Sequence, residues 1–187
     1  QAARPAAVDL AAAFVASGAA SANLDALLSG RALAVTTGQQ AGLFTGPLYT
    51  IHKALTAAAL AERLTEAWRR PVVPVFWVAG DDHDFAEIAS CDVLAQDGRR
   101  EVVRLRERPA DAPMRPAFRE LLGADVGPAL ERLEALVPAS EFRPALMDWL
   151  RRAYAPDRSL AEAHALAIAE LLGEYGVVVL RGWHGAV

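Results

Sequence analysis

The chain has 187 residues, 53% of them apolar and 22% charged, which is material for one domain with a sizeable core and excludes disorder as the default state. Its 19 basic and 23 acidic residues give a formal net charge of −4 and are interspersed, so no basic stripe exists to neutralise a run of phosphates, and nucleic acid is excluded as an expected partner. A single cysteine, Cys91, leaves no intrachain disulfide and suits a reducing, cytoplasmic setting; no run reaches the roughly eighteen apolar residues of a membrane-spanning helix, and no membrane partner is expected.

In chain order, the Ala-rich opening at residues 5–20 reads as a helix, since Asp9 interrupts it and no basic cluster precedes it as in a signal peptide. Residues 31–36 (RALAVT) suit a short buried strand that feeds a glycine-punctuated loop at 37–46. Pro47, whose missing N–H would be unpaired at a helix start, opens a helix with an apolar stripe through Leu48, Ile51, Leu55 and Ala58 that stops near Arg70. Residues 72–79 (VVPVFWVA) are continuously apolar, as in a strand covered on both faces, with Pro74 awkward at a central position. Strand, helix and strand make a parallel βαβ unit. Residues 91–95 and 101–105 flank Gln96-Asp97-Gly98-Arg99, and an Asp-Gly pair between strand-like runs predicts a hairpin and a mixed sheet. After a Pro-rich loop at 109–116, helical patterns cover 118–122, 128–137, 143–154 and 159–175. Ser159 and Glu162 have capping-box spacing, Gly176 ends the last helix, and 177–180 (VVVL) is a third core strand. The expected layout is a leading helix over about 1–30, a core βαβ unit and hairpin over 31–108, a helical segment over 109–175 and a core strand over 176–181.

Ligands of open α/β sheets bind beyond the carboxyl ends of the strands, and two loops there are unusual. The first spans 36–53 (TTGQQAGLFTGPLYTIHK). Its glycines permit close approach of backbone to a ligand, its helix start offers N–H groups to a phosphate or carboxylate, and His52 and Lys53 are placed to stabilise charge on a leaving group. The plainer reading is a tight turn followed by a solvated helix face. The spacing matches neither the G-x-G-x-x-G fingerprint nor the P-loop, so neither gives support to a generic NAD or ATPase assignment. The second loop, Gly80-Asp81-Asp82-His83-Asp84, crowds three carboxylates and an imidazole. Like charges this close call for a cation, so the cluster binds an ammonium group, holds Mg²⁺ or contains a general base; the alternative is a solvated loop in which Asp84 caps a short helix through Glu87. Zinc is disfavoured by the single local imidazole, and no metal is assigned. Cys91, Trp68, Trp77 and Trp149 read as packing residues, and His164 and His184 carry no readable role.

Residues 37–54 (TGQQAGLFTGPLYTIHKA) and 71–88 (PVVPVFWVAGDDHDFAEI) together resemble the paired signatures of the bacillithiol biosynthesis cysteine-adding enzymes, the BshC family. Residues 159–180 resemble the helix and strand that close the first half of that family's Rossmann-like domain, so the resemblance covers most of the chain. It implies an α/β, Rossmann-like fold of the nucleotidyltransferase and class I synthetase kind, with a largely parallel sheet and flanking helices, incomplete at the C-terminus. It implies a ligase joining the carboxyl group of cysteine to the amine of glucosaminyl-malate, with cysteine activated by a nucleotide, ATP or ADP. By the same analogy Thr37, Gly38, Gln39, Gln40, Gly42 and Gly46 line an anion-binding side with Tyr49, His52 and Lys53 behind it. Asp81, Asp82, His83 and Asp84 form the catalytic group, holding an ammonium and accepting a proton from the attacking amine. The family's chains continue through a second half-domain, a connective region and a coiled coil through which the complete member is a homodimer. The tail RGWHG at 181–185 departs from that continuation, so the chain is expected to be a fragment. The rival readings are a Mg²⁺-dependent phosphohydrolase or nucleotidyltransferase, and a catalytically incomplete half that acts as a binding module with an open sheet edge.

Overall fold

The computed structural model describes residues 9–109 and 111–185. A 3₁₀ turn at Leu10–Ala13 leads into a short strand β1 (Phe14–Val15), then α1 (Ala20–Leu28), β2 (Leu33–Gln40), a 3₁₀ turn at Leu43–Thr45, α2 (Tyr49–Trp68) and β3 (Val72–Ala79). A single-turn helix α3 (Phe85–Ile88), the strands β4 (Ser90–Leu94) and β5 (Arg100–Arg104), and the helices α4 (Val126–Leu136), α5 (Arg143–Ala153) and α6 (Leu160–Leu172) follow, and β6 (Val178–Arg181) closes the fold. The main sheet runs β1-β6-β3-β2, with β2, β3 and β6 parallel and β1 antiparallel to β6.

The apolar run of β3 is explained by its two covered faces. Phe76 and Val78 enter the larger core with Ala54 of α2 and Leu160, Ile168 and Leu172 of α6. Val73 and Val75 enter a smaller one with Val178 and with Ala20, the first residue of α1. Each of the Val, Leu, Ile and Phe side chains among these contributes about 1.5–3 kcal/mol through burial. β2 is the edge strand, and on the face covered by α1 its Ala34 and Thr36 remain exposed.

Several expectations are corrected. The described part of 5–20 is not one helix: after the 3₁₀ turn at Leu10–Ala13, Phe14 and Val15 pair with Leu180 and Val179, Gly18 has φ 54, and α1 begins only at Ala20. An aromatic and a β-branched residue gain more beside a sheet edge than Ala propensity gains in a helix. Residues 1–8 lie outside the described residues. The first core strand does not stop at Thr36; Thr37, Gly38, Gln39 and Gln40 continue the ladder opposite Phe76, Trp77, Val78 and Ala79. Pro74 is accommodated because β6 begins opposite Val75, so at Pro74 the strand has β2 alone beside it. The helix expected at Pro47 starts at Tyr49 and ends at Trp68, where Arg69 turns the chain with φ 51.

The predicted hairpin forms, but as a separate two-stranded sheet, and the mixed character of the main sheet comes from β1 instead. Residues 118–122 are not a helix: only Ala117–Arg119 turns, and Leu121 makes an isolated bridge with Ser159. The Ala117 and Phe118 N–H groups donate to the carbonyls of Asp82 and Gly80, which ties that short turn to the acidic corner. The capping box is half made. Ser159 accepts the Glu162 N–H at 3.2 Å, while the Glu162 carboxylate pairs with Arg181 at 3.0 Å.

Candidate functional site

The two loops singled out in the sequence meet at the carboxyl ends of β2 and β3. The Gln40 amide donates to Asp82 Oδ2 at 2.7 Å, and the Gln40 oxygen accepts from Gln39 Nε2 at 2.9 Å. Gln39 Nε2 also reaches the Tyr49 hydroxyl at 3.0 Å, and its Oε1 accepts from Lys53 Nζ at 2.8 Å. Lys53 Nζ lies 5.3 Å from the centre of the Tyr49 ring, a cation–π contact. One polar chain therefore runs Lys53, Gln39, Gln40, Asp82 across the strand ends. The register makes this possible: Gln39 and Gln40 are the last two residues of β2, opposite Val78 and Ala79, so the acidic corner begins where their side chains end. Tyr49 and Lys53 lie one turn apart on α2, with spacing that stacks them on one face.

The glycines of the motif are explained by packing. A Cβ at Gly38 would stand 2.7 Å from the Trp77 carbonyl oxygen, and one at Gly42 would stand 2.8 Å from Gly46 Cα. At Gly80 an added Cβ would collide with the Trp183 ring. The loop between β2 and α2 carries three consecutive positive φ values: Phe44 50°, Thr45 76° and Gly46 67°. The first two, at non-glycine residues, cost of order 1–3 kcal/mol each. Its amides are turned inward: Gly42 N–H donates to His164 Nδ1 at 3.0 Å, Thr45 N–H to the Tyr154 hydroxyl at 2.7 Å and Gly46 N–H to the Leu43 carbonyl at 2.9 Å. The start of α2 is different, because its N-cap Leu48 has no side-chain acceptor to offer, no other described side chain bonds the first N–H groups of the helix, and the helix opens toward the exposed Tyr49. Of the N–H groups there, Thr50 donates to the Pro47 carbonyl at 2.9 Å and Ile51 to the Leu48 carbonyl at 3.1 Å, which leaves those of Leu48 and Tyr49 for solvent or an anion. Thr37 lies within β2, and His52 is exposed on α2 outside the polar chain.

The acidic corner divides between two surroundings. Asp82 Oδ1 accepts the Asp84 N–H at 2.9 Å, and this bond, reinforced by Gln40, holds its carboxyl below the usual carboxylate range. Asp82 is thus a standing negative charge, suited to a cation more than to taking up a proton. Asp84 Oδ1 accepts the Glu87 N–H at 3.3 Å, the plain capping role foreseen for it, and Asp81 is exposed. His83 and Asp84 line a cavity of about 550 Å³ whose other walls include Phe85, Ser90, Arg104 and Arg108. No residue of 36–53 lines it. Arg106, also in that wall with its guanidinium 5.5 Å over the Phe85 ring, pairs with the buried Glu120 and with Asp125 at 3.1 Å, anchoring the hairpin's exit. Among the described residues no three His, Cys, Asp or Glu side chains converge as a metal-binding group.

Sequence reasoning missed Tyr154 and His164, both fully buried and both bonded to the loop from α5 and α6. Only the polarity of two residues on otherwise apolar helix faces signalled them. Burial lowers the His164 pKa to about 4, partly opposed by the Gly42 carbonyl 3.2 Å from Nδ1, which favours a protonated ring, and raises the Tyr154 hydroxyl far above its ordinary value. Cys91 is a packing residue as expected, its thiol pushed up to about 11 by burial and then by the Asp92 charge.

A parallel β2-β3-β6 sheet flanked by helices, with its polar cluster at the strands' carboxyl ends, defines a Rossmann-like α/β domain. The family described as "Bacillithiol biosynthesis BshC, N-terminal Rossmann-like domain" matches residues 8–187. The chain belongs to this family. It is 41% identical over 160 residues to a protein of Salinibacter ruber named as a cysteine ligase BshC, covering 85% of this chain and 29% of that protein. Proteins of the same name from Heliobacterium modesticaldum and Geobacillus thermodenitrificans are 42% identical over 154 residues and 33% identical over 177. Those alignments cover 82% and 93% of this chain, and 28% and 32% of the respective relatives. The chain therefore spans under a third of the length of these relatives. Among the described residues no helix is long and apolar enough to cross a membrane.

Proposed function

We propose that this chain is the first part of the Rossmann-like domain of a ligase that adds cysteine to glucosaminyl-malate in bacillithiol biosynthesis, in a protein that works in the cytoplasm as a homodimer. The observation that carries the reading is the polar chain from Lys53 to Asp82, which makes one bipolar site of the two family motifs. Thr37, Gly38, Gln39, Gln40, Gly42 and Gly46 shape the side at which cysteine's carboxylate is activated. The Leu48 and Tyr49 N–H groups at the start of α2 meet the anion, with ATP as the activating nucleotide. Tyr49, His52 and Lys53 stand behind it, and Lys53 balances charge on the leaving phosphate group.

Asp82, held ionised, is the partner for an ammonium, that of cysteine or of the amino sugar before its proton leaves. The attacking amine gives its proton to His83, at the rim of the arginine-walled cavity, while Asp81 and Asp84 add negative potential. Arg104 and Arg108 in that wall suit the carboxylates of the malyl group. The balance is that of an acyl transfer: the carboxylate displaces pyrophosphate to give an acyl adenylate, the amine displaces AMP, and one proton goes to the base.

The test is complementation. A strain lacking its own cysteine-adding gene is supplied with the full-length protein or with Asp81→Asn/Asp82→Asn, and bacillithiol is quantified by mass spectrometry. The wild-type protein restores the thiol and the double variant leaves it at least tenfold lower; undiminished bacillithiol in the variant overturns the assignment.

A further inference from the structure

We infer that Tyr154 and His164 are positioning residues that hold the loop at 42–46, and with it the first turn of α2, in its ligand-receiving shape. The inference rests on the ligase reading for the identity of the ligand and on geometry for the rest. Both side chains are sealed from solvent, so neither touches a ligand. The Tyr154 hydroxyl takes the Thr45 N–H at 2.7 Å and donates to the Gly42 carbonyl at 2.9 Å, closing the loop across its neck. His164 Nδ1 takes the Gly42 N–H at 3.0 Å from the adjoining helix. The Phe44 ring, carried inward by its positive φ, meets the Tyr154 ring edge-on at 5.2 Å between centres and 70° between planes. A loop with three left-handed residues in succession has extended alternatives within easy reach, and these contacts distinguish the observed shape from them. Gly46 ends the loop directly before Pro47 and the α2 start, so any change of the neck tilts the helix turn that bears Tyr49. The residues that meet the ligand face outward from a frame set by two side chains 109 and 122 residues away along the chain.

Full-length Tyr154→Phe, His164→Leu, His164→Asn and Leu130→Ala are compared with wild type by hydrogen–deuterium exchange of peptides covering 41–46 and by steady-state bacillithiol formation with L-cysteine varied. Tyr154→Phe and His164→Leu are expected to exchange at least tenfold faster there, with KM for cysteine raised at least fivefold and kcat changed less than twofold. His164→Asn, whose Oδ1 replaces Nδ1 as acceptor, stays within twofold of wild type on both. Leu130→Ala, a core truncation on α4, lowers the melting temperature but leaves exchange at 41–46 and KM unchanged. The inference is overturned if 41–46 exchanges at the wild-type rate in both clamp variants, or if Leu130→Ala raises KM as they do. If the wild-type protein forms no bacillithiol the ligase reading falls, and the exchange comparison alone then decides the clamp.

Discussion

Acid should unfold this domain through one identifiable residue. His164 has no exposed surface, its Nε2 has no hydrogen-bond partner among the described residues, and burial brings its pKa from 6.5 down to about 4. The unfolded chain therefore binds a proton between pH 6.5 and about 4 that the folded chain refuses. A depressed folded-state pKa of this kind adds stability that is fully present above pH 6.5 and is lost as the pH falls toward 4. At roughly 1.4 kcal/mol per pH unit, the loss comes to about 3 kcal/mol, a large share of the stability of a typical domain. His164→Asn keeps an acceptor for the Gly42 N–H and cannot be charged. Urea unfolding of the two proteins from pH 7.5 to 4.5 isolates the effect, since every other titrating group is common to both. Wild type should lose about 2–3 kcal/mol more than the variant over that range. Parallel losses in the two, within about 0.5 kcal/mol, would show that His164 is not held neutral and would refute the reasoning.

Two further outcomes follow from the site. Gly46 has φ 67 and ψ −153, a region essentially confined to glycine, so Gly46→Ala should cost about 1–3 kcal/mol in urea unfolding; a wild-type midpoint would mean that the loop rearranges freely. With its thiol pushed up to about 11 from 9.0, Cys91 should carry roughly a hundredfold less thiolate than a free cysteine and react correspondingly slowly with iodoacetamide at pH 7.5. Peptide mapping of Cys91 in native and urea-unfolded protein checks this, and equal labelling rates would contradict its burial.

The legible parts of the fold were those encoded by neighbours in sequence. β3 matches its apolar run residue for residue, because covering both faces demands continuous hydrophobicity. The hairpin turns at Asp97-Gly98, where Gly98 has φ 80, and α5 and α6 follow their apolar periodicity and the Ser159 cap. What was misread depended on partners far along the chain. Residues 14 and 15 become a strand because β6 lies beside them, and Gly38 continues β2 opposite Trp77, whose backbone leaves no room there for a side chain. Of the site, the two motifs were visible as unusual, and the contact between Gln40 and Asp82 joins them. His164 was unreadable for the same reason of distance: its partner Gly42 is 122 residues away.

That distance also changes the meaning of the glycine motif. In the sequence its glycines read as room for a ligand. In the fold Gly38 makes room for Trp77, Gly42 for Gly46 and Gly80 for Trp183, while the amides of Gly42, Thr45 and Gly46 are already bonded inward. The motif's small residues thus serve shape, and recognition passes to Gln39, Gln40, Tyr49 and Lys53, which are connected to one another and to Asp82. A carboxylate held ionised at one end of that chain and an ammonium at the other make a site with fixed polarity, complementary to a molecule that carries both charges. An amino acid is such a molecule, and its carboxyl end would be drawn toward Lys53 and the Leu48 and Tyr49 N–H groups at the start of α2, where the proposed activation takes place.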